Sequence, residues 1–245
     1  MKNKLQAILF DLDETLFSTS DFTRLARFNA VQAMVDMGLD VPVQVLFDEL
    51  QEVVSEFSSN YHYHYNKLLL RFPETYFTSL NKTALITTAI IAYHDTKYKY
   101  LAPFPDAVNF IEKMYKKNAT LGVVTAGITI KQFEKLLRLD LHKYFDPHCI
   151  FVSEQIGISK PNTKLYEKAC AAMEINPEST MYVGDNPIMD IDPCNKLGMI
   201  TVLIKKGGKY LHVEGKTKAH YECTDFSELY KIVNEEFELE LHTQS

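Results

Sequence analysis

The chain has 245 residues, of which 46% are hydrophobic, and a formal net charge of -6. This length and apolar content allow a buried core in one or two domains, while the acidic balance argues against a nucleic-acid partner, which needs a basic surface. No apolar stretch approaches the ~20 residues of a membrane-spanning helix, so we expect no membrane partner. Four scattered cysteines without a Cys-x-x-Cys pair, and no secretory signal, favour a cytoplasmic protein.

The first predicted element is a short buried strand, Ala7–Phe10, which leads directly into Asp11-Leu12-Asp13-Glu14-Thr15. Two carboxylates therefore come at the end of a strand, and ligands of open α/β sheets bind at strand ends. Acids on a buried element are costly unless a cation pairs with them, and Mg²⁺ prefers oxygen ligands. Taken alone, an Asp-x-Asp pattern is also typical of solvated turns and helix N-caps.

Helical periodicity dominates from about residue 20 to residue 100. Two apolar series recur every three or four residues: Leu25, Phe28, Val31 and Val35, then Leu46, Leu50, Val53, Val54 and Phe57. Further helices are predicted over 61–72 and 82–98. This helical block follows the first strand directly, so we expect it to be an insertion over the carboxyl ends of the strands.

After Pro105 the pattern changes to alternating helices and strands. A helix from about Asp106 is predicted to bury Val108, Ile111 and Tyr115, and the tail 235–240 is predicted to be a solvated helix end. The remaining elements are strands at 121–125, 149–152, 181–183, 201–204 and, more weakly, 221–223, and helices from about 130, 163 and 227.

Alternating strands and helices predict an α/β fold: a Rossmann-like parallel sheet with helices on both faces and an inserted α-helical cap domain. The core domain is expected to comprise residues 1–17 and 101–245. The cap domain is expected to comprise residues 18–100.

Four short motifs fall where predicted strands end or helices begin. They are Asp11 with Asp13, Thr125-Ala126-Gly127, Lys160-Pro161, and the segment from Gly184-Asp185 to Asp190. A hydroxyl and free backbone N–H groups suit phosphate oxygens, a lysine balances charge, and further carboxylates suit a metal. Each motif alone is typical of a turn or a surface loop. All four together, in this order, favour a site for phosphoryl transfer.

On these four motifs the sequence resembles the haloacid dehalogenase superfamily, whose members are mostly phosphatases, over essentially the whole chain. The resemblance implies that Asp11 is a nucleophile that forms an aspartyl-phosphate. It implies that Asp13 is first the general acid for the leaving group and then the base that activates water. It also implies Mg²⁺ as the cofactor, held by Asp11, the backbone carbonyl of Asp13, and Asp185.

The same resemblance implies that Thr125 and the N–H of Ala126 bind the substrate phosphate. It implies that Lys160 orients the phosphate and balances charge. It also implies that Asp190 contacts a metal-bound water or the lysine, and that Thr15 supports the metal ligands. These roles are physically reasonable, because a cation and a lysine remove the repulsion between a carboxylate and a phosphoryl group. Two carboxylates can take opposite roles when their environments separate their pKa values.

Position 13 discriminates within the superfamily. True dehalogenases do not use an aspartate there, because a halide leaves without protonation, so Asp13 argues for phosphate esters. Three segments, 26–30, 59–64 and 92–97, also look like an archaeal-type subfamily similar to glyceraldehyde-3-phosphate phosphatases. Candidate substrate contacts in the helical block are Arg24, Arg27, Asn29, Asn60 and Lys97.

The sequence therefore predicts a Mg²⁺-dependent phosphatase acting on a small phosphorylated metabolite. One alternative is a phosphosugar mutase, which would pass the same aspartyl-phosphate to a second substrate hydroxyl. Another is a binding or regulatory protein on a former enzyme scaffold, although so many closely placed charges are costly to keep without a catalytic role. A homodimer is left open.

Overall fold

The structure, a computed structural model, describes residues 2–59, 61–208 and 210–240. Within these ranges the chain divides into two units. The sheet unit comprises Met1–Ser18 and Ala102–Ser245, and the helical unit comprises Thr19–Leu101.

The sheet unit is organised around parallel strands. The strands of the described residues are β1 Asn3–Leu5, β2 Ala7–Phe10, β3 Thr120–Thr125, β4 Ile150–Val152, β5 Thr180–Gly184, β6 Ile200–Ile204, β7 Tyr221–Cys223 and β8 Phe237–Leu239. Six of them form one sheet in the order β4-β3-β2-β5-β6-β7, and all neighbours run parallel. The predicted parallel α/β fold is confirmed.

Helices connect the strands and form the second unit. They are α1 Ser20–Asp36, α2 Val43–Phe57, α3 His64–Leu69, α4 Lys82–Tyr100, α5 Pro105–Lys116, α6 Thr129–Arg138, α7 Ser153–Ile156, α8 Thr163–Ala172, α9 Asp192–Lys196 and α10 Phe226–Glu236. Helices α1 to α4 belong to the helical unit, and the others belong to the sheet unit. No helix among the described residues combines the length and the apolar character needed to cross a bilayer.

Strand β2 lies at the centre of the sheet, with β3 on one side and β5 on the other. All four of its residues are buried, which is typical of a parallel strand covered on both faces. Phe10 is in register with Val123 and Val183, so β2, β3 and β5 end at the same edge. The strand order reverses beside β2, and such a switch point is where open α/β sheets bind ligands.

The buried face of α5 differs from the sequence prediction. Ile111 is buried as expected, but Val108 is only half-buried, and Tyr115 is 52% exposed. Ala107, Phe110 and Met114 are buried beside Ile111, so the apolar stripe is turned by about one residue from the predicted one. The Tyr115 ring instead packs edge-on against Tyr144 near the surface.

The predicted solvated helix end over 235–240 is confirmed for Glu235 and Glu236, the last residues of α10, and was wrong beyond them. Phe237–Leu239 is strand β8, which pairs with β1 in parallel, with Asn3 opposite Phe237. In an extended chain, Phe237 and Leu239 point to the same face while Glu238 points away. Phe237 is buried and packs edge-on against Tyr221, and this tertiary contact favours a strand there.

The helical unit has a core of its own. Its buried residues include Ala30, Val31 and Met34 of α1, Leu39 and Val41 after α1, Leu46, Phe47 and Leu50 of α2, Leu68 and Leu69 of α3, Phe77, and Leu85 and Ala89 of α4. Arg71 forms ion pairs with three glutamates of α2, at 3.1 Å from Glu49, 3.2 Å from Glu52 and 2.6 Å from Glu56. The predicted helix over 61–72 is shorter in the structure, since α3 ends at Leu69 and Pro73 precedes a separate 3₁₀ turn.

Candidate active site

Three carboxylates predicted from two separate motifs meet at the common edge of β2 and β5. Asp11 follows β2, Asp185 follows β5, and Asp190 lies in the turn after Asp185. One carboxylate oxygen from each lies within 4.8 Å of the others, and all three residues are buried. The register of the parallel strands explains this meeting, because Phe10 and Val183 are directly opposite each other.

The turn after β5 determines where Asp190 points. The side chain of Asn186 accepts hydrogen bonds from the N–H groups of Ile188 and Met189, both at 3.1 Å, and so caps the π-helical turn Pro187–Ile191. The N–H of Asn186 donates to Asp190 Oδ2 at 3.0 Å. A Cβ on Gly184 would lie 2.5 Å from this same oxygen, so only glycine allows the carboxylate to approach so closely.

Lys160 is the cation of the cluster. Its Nζ donates to Asp11 Oδ1 at 2.5 Å, to Asp190 Oδ1 at 2.7 Å and to the Tyr182 hydroxyl at 2.7 Å. The Tyr182 hydroxyl in turn donates to the carbonyl of Val124 at 2.9 Å. The lysine side chain is 3% exposed, so water is excluded and these partners fix its head group.

Burial and like charge dominate the electrostatics of the site. Burial raises the pKa of Asp11 to about 7, with Lys160 opposing and Asp190 adding to the shift. Burial also raises the pKa of Asp185 to about 8, helped by the charges of Asp11, Asp190 and Glu14. Burial lowers the pKa of Lys160, but Asp11 and Asp190 outweigh it, so the net pKa is raised. The negative charge of three carboxylates is thus opposed by the single ammonium group of Lys160.

The residues present fit a divalent cation. Asp185 Oδ2 is buried and has no hydrogen-bond partner among the described residues. Its other oxygen, Oδ1, accepts a long hydrogen bond of 3.5 Å from the Thr15 hydroxyl. An unpaired buried carboxylate oxygen is costly, and a hard cation that takes oxygen ligands would satisfy it and offset the excess negative charge.

The segment Thr125–Gly127 lies at the end of β3, one strand from Asp11. Thr125 is buried, and its Oγ1 accepts a hydrogen bond of 2.9 Å from Gln132 Nε2. Gly127 has a φ of 146° and donates its N–H to Ser153 Oγ at 2.9 Å. The predicted phosphate-binding residues Thr125 and Ala126 are therefore in a tight loop at the same sheet edge as the carboxylates.

Asp13 is held apart from the three clustered carboxylates. Lys135 Nζ of α6 lies 2.6 Å from Asp13 Oδ1 and 2.7 Å from Oδ2, and Gln132 Nε2 donates to Oδ2 at 3.0 Å. Neither Gln132 nor Lys135 was predicted from the sequence. The two residues are three positions apart, so they lie on one face of the helix that directly follows the phosphate-binding loop. This spacing is the sequence pattern by which they could have been identified.

Two further residues near the carboxylates were missed. Tyr182 was read only as part of an apolar strand, yet its hydroxyl contacts Lys160. Glu14 is buried in a left-handed conformation with φ of 61°, and a Cβ on Gly208 would lie 2.8 Å from its Oε2. Tyr182 lies inside a buried strand and Glu14 lies inside the first motif, and the sequence pattern distinguishes neither from its neighbours.

The candidate substrate contacts on the helical unit are described within that unit alone. Asn29 donates to the Thr96 hydroxyl at 3.0 Å, which joins α1 to α4. Arg27 is half-buried, burial lowers its pKa, and it donates to Gln51 at 3.4 Å. Two others differ in exposure: Lys97 is buried and Arg24 is exposed. Asn60 lies outside the described residues.

Comparison with known proteins agrees with this geometry. The family model described as haloacid dehalogenase-like hydrolase matches residues 8–204. A glyceraldehyde 3-phosphate phosphatase of Methanopyrus kandleri is 39% identical, covering 94% of this chain and 98% of the relative. One of Methanocaldococcus jannaschii is 37% identical over 94% and 97%. A crystal structure of a phosphatase from Thermococcus onnurineus shares the fold, with a TM-score of 0.66, 21% identity, and coverage of 95% and 99%. The resemblance predicted from the sequence is confirmed, and the chain belongs to the haloacid dehalogenase-like hydrolase family.

Proposed function

We propose that this chain is a Mg²⁺-dependent phosphatase that hydrolyses a small phosphorylated metabolite, with glyceraldehyde 3-phosphate as the first substrate to test. The observation that carries the proposal is the buried meeting of Asp11, Asp185 and Asp190 at the switch point of the sheet, with Lys160 paired to Asp11 and Asp190. Relatives named glyceraldehyde 3-phosphate phosphatase, similar along nearly their whole length, support the choice of substrate.

In the first step, the carboxylate of Asp11 attacks phosphorus. A bond forms between an Asp11 oxygen and phosphorus while the bond from phosphorus to the leaving oxygen breaks. The electron pair stays on the leaving oxygen, which takes a proton from Asp13, and an alcohol departs. In the second step, water gives a proton to Asp13 while its oxygen forms a bond to phosphorus. The bond between phosphorus and the Asp11 oxygen breaks, its electron pair returns to the Asp11 carboxylate, and phosphate departs.

Other residues balance charge and orient the phosphoryl group. Lys160 is already paired with Asp11, so its ammonium group would lie where negative charge gathers. Thr125 and the N–H of Ala126 would bind phosphate oxygens from the end of β3. Mg²⁺ would be held by Asp11, Asp185 and the backbone carbonyl of Asp13, and would neutralise charge on the phosphoryl oxygens.

Three sequence predictions are carried forward as part of the proposal. Residues 18–100 are proposed to act as a cap domain that selects the leaving group, with 1–17 and 101–245 as the catalytic core domain. A cytoplasmic location is supported by the four cysteines, all of which are free thiols. A homodimer is to be tested by light scattering of the purified protein.

The direct test is release of inorganic phosphate from glyceraldehyde 3-phosphate by purified protein. We expect turnover with Mg²⁺, none after chelation, recovery on adding Mg²⁺ back, and none for Asp11→Asn. Asp140→Asn is the matched control, because Asp140 is an exposed carboxylate paired with Lys143 at the surface. Substantial turnover by Asp11→Asn in metal-free buffer, or isomerised substrate without free phosphate, would overturn the proposal.

A further inference from the structure

We propose that Gln132 and Lys135 of α6 are positioning residues that fix the carboxylate of Asp13 for its exchange of a proton with the leaving group. This inference rests on the proposed function, because it concerns the residue that would protonate the departing oxygen. Neither residue belongs to the four motifs from which the site was predicted.

Lys135 holds both oxygens of Asp13. Its Nζ is 2.6 Å from Oδ1 and 2.7 Å from Oδ2, a bidentate approach that leaves the carboxylate little freedom to rotate. The pair is partly shielded from water, with the lysine side chain 16% and the aspartate side chain 30% exposed. The Lys135 ammonium also lies 5.8 Å from the centre of the buried Phe17 ring, so the cation is itself held from a second side.

Gln132 connects Asp13 to the phosphate-binding loop. Its Nε2 lies within hydrogen-bond distance of Asp13 Oδ2 (3.0 Å), Thr125 Oγ1 (2.9 Å) and the carbonyl of Ala126 (2.7 Å). Its Oε1 accepts from Lys135 Nζ at 2.6 Å. The side chain is 2% exposed. One buried amide thus contacts the proposed acid, both predicted phosphate-binding residues and the second positioning residue.

The loop is shaped to admit this amide. A Cβ on Gly127 would lie 3.0 Å from Gln132 Nε2 and 3.2 Å from its Cδ, and the φ of Gly127 is 146°. A side chain at this position would press on Gln132 and would strain the backbone. Glycine at position 127 therefore leaves the space in which the Gln132 amide makes its hydrogen bonds.

The network fixes a carboxylate that lies on a loop rather than on a strand. Asp13 follows β2 by three residues, and its two side-chain torsions would otherwise sample several rotamers. Proton transfer to a leaving oxygen requires hydrogen-bond contact in the transition state. A small misplacement of the acid therefore slows the step that breaks the phosphorus–oxygen bond, and it slows it most when the leaving oxygen is strongly basic.

The test compares two esters of nearly the same shape, p-nitrophenyl phosphate and phenyl phosphate, with Mg²⁺. The p-nitrophenolate ion is a weak base and leaves without help, whereas phenolate needs a proton. We expect Lys135→Met to lower kcat/KM for phenyl phosphate by about tenfold or more and to change that for p-nitrophenyl phosphate by less than about threefold. Lys135→Arg, which keeps the cation, should recover most of the loss.

Three controls separate positioning from stability. Arg138→Met removes a cation from the same helix, where it pairs with Glu134, and should leave both rates unchanged. Asp13→Asn should show the same preference for p-nitrophenyl phosphate, and adding Lys135→Met to it should cause no further loss, because both act through one carboxylate. If Lys135→Met fails to fold, judged by its melting temperature, Gln132→Met is used in its place with the same expectation.

Equal loss on both esters, a rise in KM at unchanged kcat, or additive loss in the double variant would overturn the positioning role. Failure of the proposed function would look different, since the unaltered protein would then release phosphate from neither ester. The two conclusions can therefore fail separately.

Discussion

A single buried ammonium group determines the charge balance of the candidate site. Lys160 lies within 2.7 Å of Asp11, Asp190 and the Tyr182 hydroxyl, and its side chain is almost fully buried. Removing one member of a buried ion pair leaves the remaining charge without compensation, which costs more than the pair contributes. The same contacts of Lys160 therefore matter both for stability and for the proposed catalysis.

Replacement of Lys160 by methionine should keep the volume of the side chain and remove its charge. We expect the free energy of unfolding to fall by about 3–5 kcal/mol, because Asp11 and Asp190 lose their cation. We expect kcat to fall by about 10²-fold or more, because a fixed charge facing the phosphoryl group is lost. Denaturant unfolding and phosphate release measure the two effects, and near-normal values of both would contradict the assignment.

Gly184→Ala tests the close approach of Asp190 to the end of β5. The new Cβ would lie 2.5 Å from Asp190 Oδ2, and Asp190 cannot move away easily because it is bonded to Lys160 and to the N–H of Asn186. We expect a loss of about 1–3 kcal/mol in stability together with loss of activity.

Gly157→Ala is the comparison for this variant. A Cβ on Gly157 meets nothing within 4 Å, but the residue has a φ of 75°. Gly157→Ala should therefore lower the melting temperature through backbone strain alone, and the variant should keep its activity. Equal loss of activity in the two glycine variants would show that the site responds to general destabilisation rather than to the position of Asp190.

At the scale of elements, the sequence predicts those strands and helices that depend on a local apolar pattern. The strands of the main sheet are short apolar runs, and their parallel order explains why residues after β2, β3 and β5 meet at one edge. The sequence does not predict the pairing of β1 with β8, because these strands are short and come from opposite ends of the chain. Apolar periodicity also could not show that Tyr115 is exposed, since tertiary packing decides which edge of a helix stripe is covered.

The same distinction holds for the site. Asp11, Thr125 and Asp185 lie where strands end, and Lys160 lies three residues before α8. A sequence pattern can identify these positions. The contact between Asp13 and Lys135 joins residues of a loop and a helix face that are 122 positions apart. The spacing of Gln132 and Lys135 marks both as candidates in the sequence, but nothing local identifies Asp13 as their partner, so only the folded chain shows that contact.

Asp106 connects three elements of the sheet unit and gives a prediction for pH. Its Oδ2 accepts from Lys206 Nζ at 2.6 Å, just after β6, and from the N–H of Phe226, at the start of α10, at 2.9 Å. Burial raises the pKa of Asp106, but these bonds outweigh it and hold the pKa below its ordinary value. A carboxyl group with a lowered pKa stabilises the fold above its ordinary pKa of 3.8, and this stabilisation is lost as pH falls through the lowered value.

We therefore expect Asp106→Asn to lower the melting temperature at pH 6 to 7. The difference from the unaltered protein should shrink as the pH is lowered below 3.8. Comparing the two proteins cancels the pH responses of the other carboxylates. Lys206→Met should show the same trend, because it removes the charged partner. A difference that stays constant from pH 7 to pH 3 would contradict this account of the contact.

At the scale of the whole molecule, the proposed metal site would couple binding of a cation to folding. Asp11, Asp185 and Asp190 come from parts of the chain that only the folded sheet brings together. The unfolded chain has no comparable group of ligands, so a cation that binds this cluster stabilises the folded state.

Addition of Mg²⁺ to chelator-treated protein should raise the melting temperature in a concentration-dependent way. At about 100 times the dissociation constant, the gain corresponds to about 2.7 kcal/mol. Asp185→Asn should abolish most of this gain, because Oδ2 of Asp185 is the buried oxygen that lacks a partner. Asp140→Asn, an exposed carboxylate, should keep it. A Mg²⁺ shift of equal size in both variants would contradict the assignment of the metal site.

The central claim is that Asp11 forms a covalent bond to phosphorus during turnover. Protein mixed with a ³²P-labelled phosphate ester and Mg²⁺ can be quenched in acid within milliseconds, digested, and separated into peptides. The account predicts label on the peptide that contains Asp11, a faster appearance of this label than of free phosphate, and no label in Asp11→Asn. Steady release of phosphate without a labelled peptide, or label on a peptide that lacks Asp11, would contradict it.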